Sequence, residues 1–450
     1  MPCRPDRRRQ VSQGRNEVCK RASSTEALAV AAPGLSPDPA SGGNRARRGR
    51  MSAFGSTPFW VVVPPTLSIL KTANDPGLRR WEGRLRLHGL SQGNLQPELH
   101  AVTCVPLPDT TDMKRRPFIG ALASLPLAAY GARGGDGRSA WIQWRDKFVA
   151  QDGRVVDNGQ NGISHSEGQA YGLLLAQAFG DRPTFERIEA WTRRTLANRQ
   201  DALMSWAWDP SQAQHILDWH NATDGDLFRA WALLRASRVT GWSIDLSVTE
   251  AICRDVVTLC LAPDPRTPDA LLLLPGAEAR HDEAGVLVNP SYYHPRALRE
   301  LGTAFGMPEL SQAAAHGERL LHELASIGPV PDWIEVTTEG FAPPRDHLLR
   351  SSYDALRVPL YLAWSGLGDH AAVVEMRAAM RRATLPGHVA VAFDKDGTPL
   401  SESNEPGFRA IVTLASGGIP DIEGQDIANQ PYYSATLHLL CAIARNERHN

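Results

Sequence analysis

Cysteine is scarce, with six in 450 residues. No pair stands as Cys-x-x-Cys, and His215 and His220 are not at helical ligand spacing, so no metal site is expected. Cys3, Cys19 and Cys104 fall in a segment of different composition, which leaves Cys253, Cys260 and Cys441. Cys253 and Cys260 would share a helix face yet lie too far apart to bridge. A chain of this size builds its core without disulfides. There is no Gly-x-Gly-x-x-Gly and no P-loop, which removes the usual nucleotide sites, and no cofactor is expected. The apolar run 60–70 is broken by Pro64-Pro65 and is far too short to span a bilayer. Period-2 alternation is also scarce, with residues 334–336 and 389–393 the only strand candidates.

An excess of one charge is missing overall, since the net charge is −1, but the halves differ. Residues 1–112 carry 16 Lys/Arg against 9 Asp/Glu, whereas residues 136–450 carry 28 against 40. An acidic globular part has no electrostatic reason to hold a polyanion, so nucleic acid is not an expected partner and a neutral polymer fits better. Residues 1–112 set Arg clusters among Ser, Gly, Pro and Ala without an apolar period, and read as a disordered arm or a mis-assigned upstream extension. At Met113 a basic Lys114-Arg115-Arg116 precedes an apolar stretch over 118–129 and small residues near Gly131. That is the layout of a signal peptide over 113–135, with a twin-arginine flavour. The expected organisation is therefore an extension over 1–112, an export signal over 113–135 and one domain over 136–450, in a periplasmic or secreted, monomeric protein.

What is plentiful from Trp141 onward is helical periodicity. Tyr171, Leu174, Leu175 and Ala178 fall on one face, and Gly180 stops the run. Phe185, Ile188 and Trp191 follow Pro183, and Leu227, Ala230, Trp231 and Leu234 repeat the spacing. Further faces are Leu298, Leu301 and Phe305; Leu320, Leu321 and Leu324; Leu356, Leu360 and Ala363; and the run 435–444. Roughly a dozen helices without a fixed sequence period predict one all-α domain.

Aromatics gather in the connecting loops: Trp206, Trp208, Trp219, Tyr292, Tyr293, Trp333 and Tyr353. Their faces suit stacking on sugar rings, and equally suit core anchoring. Three acidic segments open helices. Glu167 stands in Ser166-Glu167-Gly168-Gln169-Ala170-Tyr171-Gly172, where it could also cap the helix. Asp224 and Asp226 stand in Thr223-Asp224-Gly225-Asp226, which suits an N-cap and lacks the later acid of a calcium loop. Asp354 stands in Ser352-Tyr353-Asp354-Ala355-Leu356-Arg357, where Asp354 and Arg357 could form a surface pair. Together they suggest a cleft rimmed by acids, as glycoside hydrolysis requires: one carboxyl to donate a proton, another to activate water. Burial would raise the acid and Arg357 would hold the base ionised.

These segments, with Asn289-Pro290-Ser291-Tyr292-Tyr293 and Pro331-Asp332-Trp333 in order, resemble glycoside hydrolase family 8 over residues 139–445. Within it the likeness is greatest to the periplasmic endo-β-1,4-glucanase of bacterial cellulose synthesis. The resemblance implies an (α/α)6 barrel, six inner and six outer helices with a cleft across one end, and an inverting mechanism. It implies Glu167 as general acid, Asp354 as general base assisted by Tyr292, and Asp224 at the cleavage point. Tyr353 and Arg357 would hold the base and the adjacent sugar, while Tyr171, Trp208, Tyr293 and Trp333 would join Tyr292 in contacting substrate. Asp226 would be a structural partner of its loop. A β-1,4-glucan substrate and the cellulose synthesis and export machinery are the implied partners. Arg229, the late Trp242 and Pro359 depart from the family's pattern, and Pro359 is expected to kink its helix. Xylan, chitosan or a non-catalytic glucan-binding role are the competing readings.

Overall fold

The computed structural model describes residues 137–422 and 424–447. The extension over 1–112 and the signal over 113–135 lie outside the described residues. The helices are α1 (Arg138–Phe148), α2 (Ser166–Ala178), α3 (Arg182–Thr195), α4 (Thr223–Arg238), α5 (Leu246–Leu259) and α6 (Pro295–Phe305). They continue with α7 (Pro308–Ile327), α8 (Arg357–Trp364), α9 (Ala371–Met380), α10 (Pro406–Ala415) and α11 (Tyr432–Glu447).

Their sequences decide which of them go inside. Every residue of α8 is buried, and α2, α4 and α11 are buried nearly all round, α4 with Asp224, Asp226, Arg229 and Arg235 among its buried residues. These four and α6 meet in a closed circuit, α2 on α4, α4 on α6, α6 on α8, α8 on α11 and α11 on α2. Helices α3, α5, α7 and α9 bury one face each and pair with α2, α4, α6 and α8 in turn. In α3, Asp181 caps the start by accepting from the Thr184 N–H at 3.2 Å, and Phe185, Ile188 and Trp191 face inward as their spacing predicts. Phe228 of α4 lies 5.4 Å from the Tyr171 ring of α2 and 5.2 Å from that of Tyr361 in α8. Its full burial is worth about 1.5–3 kcal/mol and ties three inner helices together.

The departures from the family pattern each find a local cause. Arg229 is buried in α4 because Glu189 of α3 accepts its guanidinium at 2.7 and 3.1 Å. Trp242 packs edge-on against Phe185 at 5.3 Å. The expected kink at Pro359 is not found. Helix α8 starts at Arg357, so Pro359 sits in its first turn, where a missing N–H leaves no bond unmade.

Strands are more numerous than the alternation suggested. Both expected ones form, as β8 (Ile334–Thr337) and β10 (Val389–Phe393), but nine others join them among the described residues. β1 (Ser164–His165), β2 (Ala207–Trp208) and β3 (Ile216–Asp218) form a small sheet beside the start of α2. β4 (Leu261–Asp264) pairs with β5 (Thr267–Leu273), whose continuous leucines carry no period-2 signal. β6 (His281–Asp282), β7 (Gly285–Val288) and β9 (Gly340–Ala342) join β8 in an antiparallel sheet of order β6-β7-β8-β9, and β11 (Pro399–Ser403) pairs with β10. The domain is thus predominantly helical, with β-hairpins in the loops.

Candidate active site

The first acidic segment does not cap its own helix. The N-cap of α2 is His165, whose Nδ1 accepts the Gly168 N–H at 3.0 Å. With Nδ1 so engaged, Nε2 carries the ring proton and donates to Asp157 at 3.3 Å. Glu167 is thereby free of the cap, with 16% of its side chain open to solvent. Its Oε1 accepts from the Tyr171 hydroxyl, one turn along the same helix, at 2.6 Å. The same oxygen accepts from the Arg357 guanidinium.

The second segment reaches the first through a glycine. A Cβ at Gly225 would lie 2.5 Å from Ser166 Oγ and 2.8 Å from the Glu167 N. Only the absence of a side chain lets the start of α4 touch the start of α2. We expect Gly225→Ala to force these two helix starts apart, lowering the melting temperature and kcat together, as thermal melts and initial rates would show; overpacking a tight contact costs about 1–3 kcal/mol. The N-cap here is Ala222, without a side-chain cap, so capping is not the office of either acid. Asp224 is almost fully buried, accepting from its neighbour Gly225 N–H at 2.8 Å and from Arg357 Nη1 at 2.9 Å. Asp226 turns the other way. It accepts from Met204 N at 2.8 Å and Asn221 Nδ2 at 3.0 Å, which makes it the structural partner of that loop.

Asp354 sits in the turn preceding α8. Its carboxyl accepts from Arg357 Nη2 at 2.9 Å and from Asn289 Nδ2 at 3.1 Å. Arg357 is 1% exposed, so the surface-pair reading is excluded. One guanidinium therefore reaches three carboxylates from three helix starts, and Ser291 Oγ accepts from it at 2.6 Å besides. Arg357 does not single out the base, as the sequence suggested; it gathers the whole set. Burial acts on the other two carboxyls of the set. Burial, reinforced by the charge of Glu167, lifts Asp224 to about 6 against the pull of Arg357. Burial likewise lifts Asp354 to about 7, with Arg357 opposing and Asp332, Glu167 and Asp224 adding to the rise.

A family model described as glycosyl hydrolases family 8 matches residues 115–447. The chain belongs to glycosyl hydrolases family 8. A probable endoglucanase of Novacetimonas hansenii is 32% identical over 327 residues, covering 68% of this chain and 90% of that one. An endoglucanase of Cellulomonas uda is 32% identical over 232 residues, covering 50% of this chain and 63% of its own length. Among solved structures, the endo-β-1,4-glucanase CMCax of Acetobacter xylinum superposes with a TM-score of 0.60 at 31% identity, over 70% of this chain and 98% of that one.

Within this family 8 domain the aromatics divide. Tyr292 is half-buried in a 3-10 turn, its ring 5.6 Å from the Arg357 guanidinium and 6.4 Å from Trp333. Trp333 stacks on His347 at 4.1 Å, giving the pair a supported wall. Tyr353 is half-buried against Phe408 at 5.9 Å, and its carbonyl accepts from the Tyr433 hydroxyl at 2.8 Å. Trp208, paired across from Ser164, packs on Trp191 and lies under Arg154.

Two expected sugar platforms are corrected. Tyr171 is fully buried, with its hydroxyl spent on Glu167 and Tyr361, so it orients the acid and offers no open face. Tyr293 points into the core. Its hydroxyl accepts the Leu273 N–H at 2.8 Å, and its ring fills the space above Gly317, where a Cβ would come within 2.0 Å. We expect Tyr293→Phe to leave KM unchanged and to cost about 1–3 kcal/mol in denaturant unfolding, because a buried N–H loses its acceptor.

Asn289, Ser291, Asp332 and His165 were assigned no role from sequence, though each was visible within or beside a motif. The only local hint was the Asn-Pro pair, where Asn289 Oδ1 caps the 3-10 turn by accepting from Ser291 N at 3.1 Å. The partner of its amide lies 65 residues away and leaves no mark in the sequence.

Proposed function

We propose that this chain is an endo-acting hydrolase of β-1,4-linked glucan that works with inversion of configuration. The observation that carries it is the convergence of Glu167, Asp224 and Asp354 on the single guanidinium of Arg357. Three carboxylates from three helix starts, two of them facing the cleft with 16% and 19% of their side-chain surface open, form an acid–base pair with a third group between. The names of the relatives supply the substrate class, and the helix order accords with an (α/α)6 barrel whose inner ring begins with α2, α4, α6 and α8.

The chemistry follows from the placement. Glu167, oriented by the Tyr171 hydroxyl, delivers its proton to the glycosidic oxygen. Asp354, held by Asn289 and Arg357, removes a proton from a water that attacks the opposite face of the sugar. Asp224, buried between them, accepts hydroxyls of the sugar at the cleavage point and favours its distorted ring. Tyr292 stands beside the attacking water. Arg357 is fixed in charge, and neutralises whatever negative charge the three acids carry as protons move.

Asp354 must be ionised to act, and burial raises it to about 7. As pH falls through that value the base becomes protonated and turnover is lost. The acid limb of kcat/KM should therefore lie well above the ordinary aspartate value of about 3.9. A limb in the ordinary range would mean that another group is the base.

The segment 113–135 serves export in this proposal, and the enzyme acts in the periplasm or outside the cell in cellulose or exopolysaccharide production. Amino-terminal sequencing of the protein from the periplasm tests this, with cleavage near Gly131 expected and an uncleaved chain in the cytoplasm contradicting it. For the substrate, early loss of viscosity of carboxymethyl-cellulose alongside slow release of reducing ends is expected. Faster cleavage of xylan or chitosan would move the assignment to another β-1,4 polymer.

A further inference from the structure

The geometry points to Asp332 as the positioning residue of the base: its carboxylate holds the turn that carries Asp354 and stands as a second negative charge beside it. The inference rests on the reading of Asp354 as general base. Asp332 is buried just before β8. Its Oδ1 accepts two backbone N–H groups, from Ser352 at 2.8 Å and from Ala355 at 3.0 Å, and its Oδ2 accepts the Ser352 hydroxyl. All three donors lie on residues 352–355, the run that contains Asp354. The same run is anchored on its other side. Ser351 exchanges backbone hydrogen bonds with Phe393 of β10 and donates its hydroxyl to the Val330 carbonyl at 2.7 Å. Asp332 also donates its own N–H to the Arg350 carbonyl at 2.8 Å.

The base is thus held from two directions. Asp332 fixes its backbone, while Asn289 and Arg357 fix its carboxyl. The charged and titratable groups facing Asp354 are Arg357 of α8, Glu167 of α2, Asp224 of α4, Asp332, and the phenols of Tyr292 and Tyr433. Asp332 comes first among the neighbouring carboxylates in raising Asp354. A like charge alongside disfavours the ionised form, so the ionised base draws the proton of water more strongly. Asp332 is buried and its carboxyl is spent on residues 352–355, so its effect on the reaction runs through Asp354.

Asp332→Asn tests this while sparing the turn. The amide oxygen can still accept both backbone N–H groups, and its NH2 can donate to Ser352 Oγ, so only the charge is removed. On cello-oligosaccharides the acid limb of kcat/KM should move to lower pH by about one unit, a tenfold relative gain on that limb, with KM unchanged. An unmoved limb, or KM rising together with a lost kcat, would overturn the inference. A second readout needs no turnover: the Asp354 carboxyl resonance, assigned by its loss in Asp354→Asn in 13C-aspartate-labelled protein. It should titrate at lower pH in Asp332→Asn. A shifted resonance in a protein that cleaves no glucan would keep the positioning role and sink the hydrolase reading. An unshifted resonance in an active enzyme would do the reverse. Should Asp332→Asn not fold, Ser352→Ala removes a hydroxyl that favours the ionised form of Asp332, and should move the same titration to lower pH; no movement there counts against the inference.

Discussion

Glu167→Gln should lower kcat on carboxymethyl-cellulose by roughly 10²–10⁴-fold, the usual contribution of a positioned acid, while circular dichroism and KM stay near those of the parent. The fold should survive because Gln keeps an oxygen for the Tyr171 hydroxyl and Arg357, and because the start of α2 is capped by His165 and not by residue 167. A sharper form of the experiment uses an aryl cello-oligoside with a strongly acidic phenol. Such a leaving group departs without a proton, so Glu167→Gln should regain much of its rate on it. Asp354→Asn should stay inactive on both substrates, since activation of water is still required. Near-native turnover of carboxymethyl-cellulose by Glu167→Gln would place the acid elsewhere.

Arg357→Met should be the most damaging single change in the site. It leaves Glu167, Asp224 and Asp354 in one cavity with no cation, and breaking a buried ion cluster from one side costs about 3–5 kcal/mol. The pH dependence has a definite sign. Asp224 and Asp354 already sit above their unfolded values, at about 6 and about 7, and loss of Arg357 removes a group that pulls both downward. A raised carboxyl contributes stability that is full below its unfolded value and is lost as pH rises through the folded one. The variant should therefore melt closest to the parent near pH 4–5 and fall progressively behind toward pH 8. Melting curves across that range decide it, and a constant deficit at all pH values would mean that Arg357 does not offset the charge of these carboxylates. Arg357→Lys should recover part of the stability and little of the rate, because a single ammonium cannot reach Glu167, Asp224, Ser291 and Asp354 together.

Much of this architecture was written locally. The inward faces of α2, α3, α4 and α7 follow from apolar spacing, and Tyr171, four residues after Glu167, was bound to share its side of the helix. The three acids announced themselves by opening helices. What stayed hidden depends on contacts far apart in the chain. The run 270–274 is buried on both faces, so β5 shows no alternation. Tyr292 and Tyr293 are indistinguishable by type, and only the contact of Tyr293 with Gly317 and Leu273 sends it to the core. The reach of Arg357 to Glu167 spans 190 residues, so a pair visible at Asp354 and Arg357 looked like an ordinary one-turn neighbour. Pro359 read as a kink because the start of α8 was placed too early; the turn that Asp332 holds delays the helix to Arg357.

The most direct test of the central claim is the anomeric form of the sugar first released from cello-oligosaccharides, followed by NMR on protein begun at Met113. Initial appearance of the α-anomer, with mutarotation to the β-form later, is the result that Glu167 as acid and Asp354 as water-activating base require. Initial appearance of the β-anomer would show retention, and would contradict the roles given to these two carboxylates.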